Sequence, residues 1–219
     1  VYKRQIKSLD VFVYREGADE CLFYQHFAFS PELTGTGEHT ATLDAAQEKF
    51  DQNINHTIYV VANHTATIPA AGLSLPELKA LTAPTLDADK KQDAFLMDGK
   101  HTMVLNDGII VNKEIPVVLK RAAAKIRISL NYVNGFTPID NNIPSKKMVN
   151  YAASGSSIAD GSVNAPTLQS MNSFTEQNTG AGNSNQFILY SYANDWTKDT
   201  NRESYVPVSY THLRAHETE

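Results

Sequence analysis

Two stretches of this chain carry apolar side chains at every second position, and this spacing restricts what they can form. In residues 6–14, Leu9, Val11 and Val13 point the same way in an extended chain. Residues 125–132 repeat the pattern, with three aliphatic side chains and Tyr132 on one side and charged or polar side chains on the other. A period of two is that of a β-strand with one face against a core, so both stretches are predicted strands.

The rest of the sequence predicts further strands separated by turns and loops. They are predicted at residues 21–29, 55–62, 94–97, 100–105, 114–119 and 186–192. Pro and Gly predict a loop over residues 30–39, and Asn106-Asp-Gly108 is a hairpin-type turn signal. Pro116 indicates that its strand lies at a sheet edge or contains a bulge. Residues 40–50 are ambiguous between strand, helix and loop.

One short helix interrupts the predicted strands. Ser74 is followed three positions later by Glu77, which is the spacing of a capping box, and Pro76 falls in the first helical turn. The helix is predicted to run to about Leu81, with its leucines on one face. The fold class is therefore all-β with one short helix.

Composition excludes some functions. The 219 residues carry a net charge of −5, which argues against a nucleic-acid partner because such proteins present a basic face. The single cysteine, Cys21, rules out an internal disulfide. It is interpreted as a small buried apolar residue, with a surface thiol as the alternative. The sequence has no apolar run of the roughly 20 residues that span a bilayer, and it starts at Val1 without a signal peptide.

Motifs of catalysis, cofactor binding and metal binding are not found, so the chain is predicted not to be an enzyme and to need no cofactor. Gly35-Thr-Gly37 is too short for a dinucleotide site and is interpreted as a turn. Asp87-Ala-Asp89 lacks the later residues of a calcium loop. His56 and His64 flank one predicted strand and are expected to be surface residues at its opposite ends, too far apart to share a metal.

The residues at the end of the chain are interpreted as not belonging to the native protein. Residues 208–218, Val-Ser-Tyr-Thr-His-Leu-Arg-Ala-His-Glu-Thr, match at all eleven positions the translation of a transposase adapter used to prepare sequencing libraries. Native sequence is therefore expected to stop near Pro207. His212 and His216 lie in this tail and are set aside as metal ligands.

Five segments, in order, resemble the amino-terminal domain of the fimbrillins, the subunits of Bacteroidetes type V pili. They are residues 6–14, 57–63, 75–82, 95–99 and 117–126. The resemblance implies a transthyretin-like β-sandwich followed by a second β-domain. On this basis residues 1–158 are the first domain, 159–185 a polar connector, 186–207 the start of a truncated second domain and 208–219 the adapter-derived tail.

The resemblance also implies how such a subunit is used. Fimbrillins are exported as lipoproteins to the outer membrane, and an arginine-specific protease then removes the first strand. The groove left behind accepts a strand from the neighbouring subunit. Arg4, just ahead of the first predicted strand, is the candidate processing site, although a basic pair such as Lys3-Arg4 also occurs there by chance. Cys21 lies beyond that strand and is not the lipid site.

The expected partners are other fimbrial subunits, together with a host or bacterial receptor at the cell surface. The alternative is a tip adhesin or glycan-binding β-sandwich. Its candidate sugar-stacking residues are Tyr2, Tyr14, Tyr132 and Trp196, for which a place in the core or at its rim is the more common role of such aromatics. A surface hydrolase domain is a third hypothesis, which the missing catalytic motifs disfavour.

Overall fold

The computed structural model describes residues 5–34, 38–81, 94–109, 113–131, 145–147, 184–192 and 208–210. Its strands are β1 (Gln5–Arg15), β2 (Cys21–Thr34), β3 (Asn55–Ala62), β4 (Met97–Val104), β5 (Lys120–Arg121), β6 (Ala123–Asn131), β7 (Ser145–Lys147), β8 (Ser184–Tyr192) and β9 (Val208–Tyr210). One helix, α1 (Leu75–Ala80), and a 3₁₀ turn (Gln47–Lys49) complete the described elements. The chain divides into two compact units, and the first contains β1 to β5 and α1.

The first unit is built on a five-stranded sheet with the order β2-β1-β3-β4-β5. All neighbouring strands are antiparallel. β1 is an inner strand, so that Val11 lies opposite Gln25 on one side and Val60 on the other. β3 is the middle strand, which explains its continuous apolar run, because both of its faces are buried. The predicted strands at residues 6–14, 21–29 and 55–62 are confirmed.

The predicted loop at residues 30–39 is wrong at its start, because β2 continues to Thr34. The pairing with β1 shifts register between Ile6–Leu33 and Ser8–Ala28. This irregularity accommodates extra residues of β2, including Pro31, which has no N–H to donate. Proline predicted a break, but on the outermost strand of a sheet it causes only a local irregularity.

Residues 94–97 and 100–105 are not two strands as predicted, since β4 runs continuously through Gly99. A Cβ at position 99 would collide with the main-chain oxygen of Val118. The glycine is therefore explained by a close approach of two backbones rather than by a turn.

The strand predicted at residues 114–119 is also wrong, because only Lys120 and Arg121 pair with β4. The segment keeps the alternating burial of a strand: Ile115, Val117 and Leu119 are half-buried, and the residues between them are exposed. The alternation of its side chains was predicted correctly. Pro116 and the passage of the segment over Gly99 keep it from forming a hydrogen-bond ladder with β4.

The capping box predicted from Ser74 and Glu77 is present. The Ser74 hydroxyl accepts a hydrogen bond from the Glu77 N–H, and the Glu77 carboxylate accepts one from the Ser74 N–H at 2.8 Å. The helix ends at Ala80, and Leu78 is its buried residue. The all-β fold with one short helix is confirmed.

The second unit contains β6 from Ala124 onward and β7 to β9. It has two pairs of strands, β6 with β8 and β7 with β9. The strands predicted at residues 125–132 and 186–192 are confirmed as β6 and β8, whereas β7 and β9 were not predicted. β9 falls in the predicted adapter tail, but a three-residue pairing does not bear on the origin of that tail. The tail and the predicted domain boundaries stay predictions.

Candidate functional site

One face of the five-stranded sheet, here called the sealed face, carries Phe12, Tyr14, Tyr59 and Val61. Each of these side chains is at most 4% exposed. The loop before α1 lies against this face, since the Tyr14 hydroxyl donates a 2.7 Å hydrogen bond to the main-chain oxygen of Leu73. Burial raises the pKa of Tyr14. Tyr14 was a candidate for stacking on a sugar, and its burial shows that this interpretation is wrong.

Gly72 brings the same loop against Cys21. It has a φ of +79°, and a Cβ there would lie 2.6 Å from the Cys21 sulfur. The thiol is half-buried and donates to the main-chain oxygen of Phe23 at 3.2 Å. Burial raises the pKa of Cys21, which keeps the sulfur protonated and unreactive. Cys21 is thus a packing residue, although less deeply buried than its interpretation from sequence suggested.

The opposite face, here called the open face, carries an apolar cluster with a partly exposed margin. The cluster consists of the buried residues Val11, Val13, Phe23, Phe50, Ile58, Val60 and Leu105. Eight further apolar residues pack against it but are only partly buried: Leu9, Phe27, Leu43, Ala45, Met103, Ile115, Val117 and Leu119. The open face is therefore buried at its centre and keeps a margin of half-buried apolar side chains.

Two extended segments, residues 38–46 and 113–119, supply the cover of the open face. The first contributes Leu43 and Ala45, and its Asp44 N–H donates to the Gln25 side chain at 2.8 Å. Neither segment is a strand, although side-chain burial alternates along much of both. They form the second layer of a β-sandwich without the hydrogen-bond ladder that normally joins such a layer.

A polar cluster joins β1 to β2 on the side of the sheet that carries Phe12. One oxygen of the buried Asp10 carboxylate accepts a 2.8 Å hydrogen bond from the Tyr24 hydroxyl and lies 2.8 Å from Nδ1 of His26. Burial, and then the bond to Asp10, raise the pKa of Tyr24. This network compensates a carboxylate that would otherwise be buried alone, so its role is structural. It was not predicted, since Asp10 was taken as the polar side of an alternating strand.

The two histidines that flank β3 differ from expectation. His56 was expected at the surface but is fully buried, and its ring packs edge-on against Phe50 at 5.4 Å. His64 is half-buried, and burial lowers its pKa. No group of three or more metal-ligating side chains is found in the described parts of the chain.

Several predicted site residues lie outside the described residues. These are Arg4, Tyr2, Asp87, Asp89, Tyr132, Trp196, His212 and His216. β1 begins at Gln5 and contributes four consecutive buried residues, Val11 to Tyr14. Within the described ranges, no helix has the length and apolar character needed to cross a membrane.

Comparison with two solved cell adhesion proteins shows the same fold. A protein described as a cell adhesion protein from Bacteroides eggerthii is 20% identical with a TM-score of 0.52, covering 96% of this chain and 73% of that one. One from Parabacteroides distasonis is 17% identical with a TM-score of 0.51, covering 91% and 65%. A fimbrilin from Porphyromonas gingivalis is 17% identical with a TM-score of 0.48, covering 76% and 52%. The chain thus spans about half of that fimbrilin's length.

Comparison by sequence identifies the family. A search of the curated proteins finds no match. The family model described as major fimbrial subunit protein (FimA) matches residues 3–132, which is more than half of the 219 residues. This match covers the whole five-stranded sheet with its sealed and open faces. The chain therefore belongs to the major fimbrial subunit protein (FimA) family.

Proposed function

We propose that this chain is a polymerising subunit of a cell-surface fimbria and that subunits join when a strand of one enters the open face of the next. The observation that carries the proposal is the contrast between the two sheet faces. The named side chains of the sealed face are at most 4% exposed, whereas eight half-buried apolar side chains border the cluster on the open face, three of them on the sheet and five on the segments that cover it. The role is structural rather than catalytic, and it supports adhesion and colonisation.

The energetics of such a junction favour a durable fibre. Each apolar side chain of an inserted strand contributes about 1.5–3 kcal/mol when fully buried. Each new main-chain hydrogen bond adds about 1 kcal/mol net. Because donor and acceptor surfaces differ, the contact is head-to-tail and does not close, so it builds a filament.

Processing at Arg4 is part of the proposal. Cleavage after Arg4 would release whatever precedes β1 and would leave the five-stranded sheet intact, because β1 begins at Gln5. Outer-membrane association through a lipid on the precursor is proposed on family grounds. The partners are then other fimbrial subunits and a surface receptor.

The proposal is tested by whether the protein is recovered from the cell surface as multimers. Surface material sheared from the source bacterium should run on denaturing gels as a ladder of multimers that collapses to one band on boiling. A single band without heating, together with one saturable ligand, would contradict the proposal and favour a tip adhesin or glycan-binding protein.

A further inference from the structure

Strand β2 forms one edge of the five-stranded sheet of the first unit. It is a long strand of 14 residues, and β1 pairs with one side of it. No strand in the described part of the chain pairs with its other side. An unpaired edge of this kind offers N–H and C=O groups to any extended chain that lies alongside.

The hydrogen bonds of β1 show which of its residues face β2. The main-chain oxygen of Ser8 accepts a 3.1 Å hydrogen bond from the Asn63 N–H, and the Glu16 N–H donates to the main-chain oxygen of Asn55 at 3.0 Å. Both acts of pairing are with β3 or the residue that follows it. In a strand the N–H and C=O groups of alternate residues point to the same side. The even-numbered residues of β1 therefore face β3, and the odd-numbered residues face β2.

The register of the pair then assigns the residues of β2. In an antiparallel pair, two residues that lie opposite each other either both face each other or both face away. Val11 faces β2 and lies opposite Gln25, so the main chain of Gln25 faces β1. The register is regular from Phe23 to Ala28. The residues of β2 whose main-chain groups point outward are therefore Tyr24, His26 and Ala28.

The side chains of these three residues leave the outer edge accessible. The Tyr24 hydroxyl and Nδ1 of His26 both reach back to the carboxylate of Asp10 on β1, each at 2.8 Å. Ala28 is exposed and carries only a methyl group. The two rings are thus held on the side of β1, and the edge is held in a fixed conformation.

This part of β2 also lacks the residues that usually protect an edge strand. Residues 21–30, Cys-Leu-Phe-Tyr-Gln-His-Phe-Ala-Phe-Ser, contain no proline and no Lys, Arg, Asp or Glu. Prolines and charges are the common protections of such an edge. They occur only further along, at Pro31 and at Glu32, which forms a 3.2 Å ion pair with Lys7. The edge is therefore unprotected where its main chain is regular.

Charge favours a second copy of the same run, lying antiparallel, as the occupant of the edge. An uncharged run meets no like charge when it pairs with itself. Glu16, Asp19 and Glu20 lie in the turn that precedes β2. Antiparallel pairing places the acidic turns of two copies at opposite ends of the ladder, whereas parallel pairing would place them side by side.

Repetition along a fibre makes such a contact effective. A ladder between two isolated subunits buries little surface, and small contacts of this kind are weak. In the fimbria proposed above, every subunit presents the same edge. Contacts between two fibres then form together, and the weak contacts reinforce one another.

We propose that the β2 edge at Tyr24, His26 and Ala28 pairs with the same edge of a subunit in a neighbouring fibre, so that fimbriae associate side by side into bundles. This inference rests on the proposed function. It adds a second contact between copies of the subunit, at a different place from the head-to-tail junction on the open face.

The test uses substitutions at Ala28, made in the gene of the source bacterium. Ala28→Pro removes the outward N–H, and Ala28→Lys places a cation on the edge, whereas Ala28→Ser keeps the N–H, adds no charge and serves as the control. Purified fibres are centrifuged at a low speed that pellets bundles but not single fibres. We expect Ala28→Pro and Ala28→Lys to lower the pelleted fraction at least about fivefold and Ala28→Ser to stay within about twofold of the wild type.

The heat-sensitive ladder of multimers, measured in parallel, separates this inference from the proposed function. An intact ladder with unchanged pelleting of Ala28→Pro and Ala28→Lys would overturn the edge pairing alone. Purified wild-type fibres that bundle only after another surface protein is added would overturn it as well. Absence of the ladder in the wild type would overturn the proposed function and this inference together.

Hydrogen exchange in wild-type fibres decides the matter if the Ala28→Pro subunit does not fold. In bundles, the outward amides of Tyr24, His26 and Ala28 should exchange at least about tenfold more slowly than in single fibres. The inward amides of Gln25 and Phe27 are already paired with β1, so they are the control and should change little. Equal exchange of the outward amides in bundles and in single fibres would contradict the proposed pairing.

Discussion

Gly99 allows the second layer of the sandwich to pack closely on β4. At this position the segment that precedes β5 passes directly over β4, and any side chain would meet the backbone of Val118. These main-chain atoms cannot move aside by rotation, as the atoms of a flexible side chain can.

Gly99→Ala should therefore destabilise the protein by about 1–3 kcal/mol, the usual cost of overpacking. Urea unfolding of the two proteins measures the difference. The matched control is Gly17→Asn, in a turn with open space and a φ of +76° that asparagine tolerates. Equal stability of Gly99→Ala and the wild type would refute the close approach.

His64 gives the stability of the protein a dependence on pH. Burial lowers its pKa from 6.5, so the unfolded chain binds a proton at a higher pH than the folded chain does. Stability contributed by neutral His64 is present above pH 6.5 and is lost as the pH falls below it. The 3.0 Å hydrogen bond from the Ala66 N–H to Nδ1 is lost on protonation as well.

We expect His64→Gln to lose less stability than the wild type between about pH 7.5 and pH 5. Urea midpoints at the two pH values measure this, with His39→Gln, at an exposed loop histidine, as the control. A loss in His64→Gln as large as that of the wild type would show that His64 does not titrate as its burial requires.

Local patterns predicted the elements that depend on local chemistry. The capping box of Ser74 and Glu77 and the apolar run of β3 each determine their own structure, and both predictions are confirmed. Whether Pro31 and residues 114–119 belong to paired strands depends instead on which segment of the fold lies beside them. A period of two in the sequence does not encode this. The open face and the burial of His56 could not be predicted for the same reason.

The contribution of the capping box to the stability of α1 can be measured by substitution. Ser74→Ala removes the acceptor for the Glu77 N–H and should cost about 1 kcal/mol in unfolding free energy. Thr65→Ala, at an exposed loop position, is the control and should cost only a few tenths. No difference between the two variants would mean that α1 does not depend on its cap.

The first unit is built on a sheet whose open face keeps a margin of half-buried apolar side chains. Family membership places the chain among fimbrial subunits. Under the proposed function, a neighbouring subunit covers this margin and so completes the core.

Methionine oxidation in subunits and fibres tests this account most directly. Met103 is half-buried at the margin of the open face, whereas Met97, on β4 beside β5, is 6% exposed and serves as the internal control. Peroxide should oxidise Met103 faster than Met97 in isolated subunits, and fibres should slow the oxidation of Met103 at least about tenfold while Met97 changes little. Equal oxidation of Met103 in subunits and fibres would contradict the claim that a neighbour covers the open face.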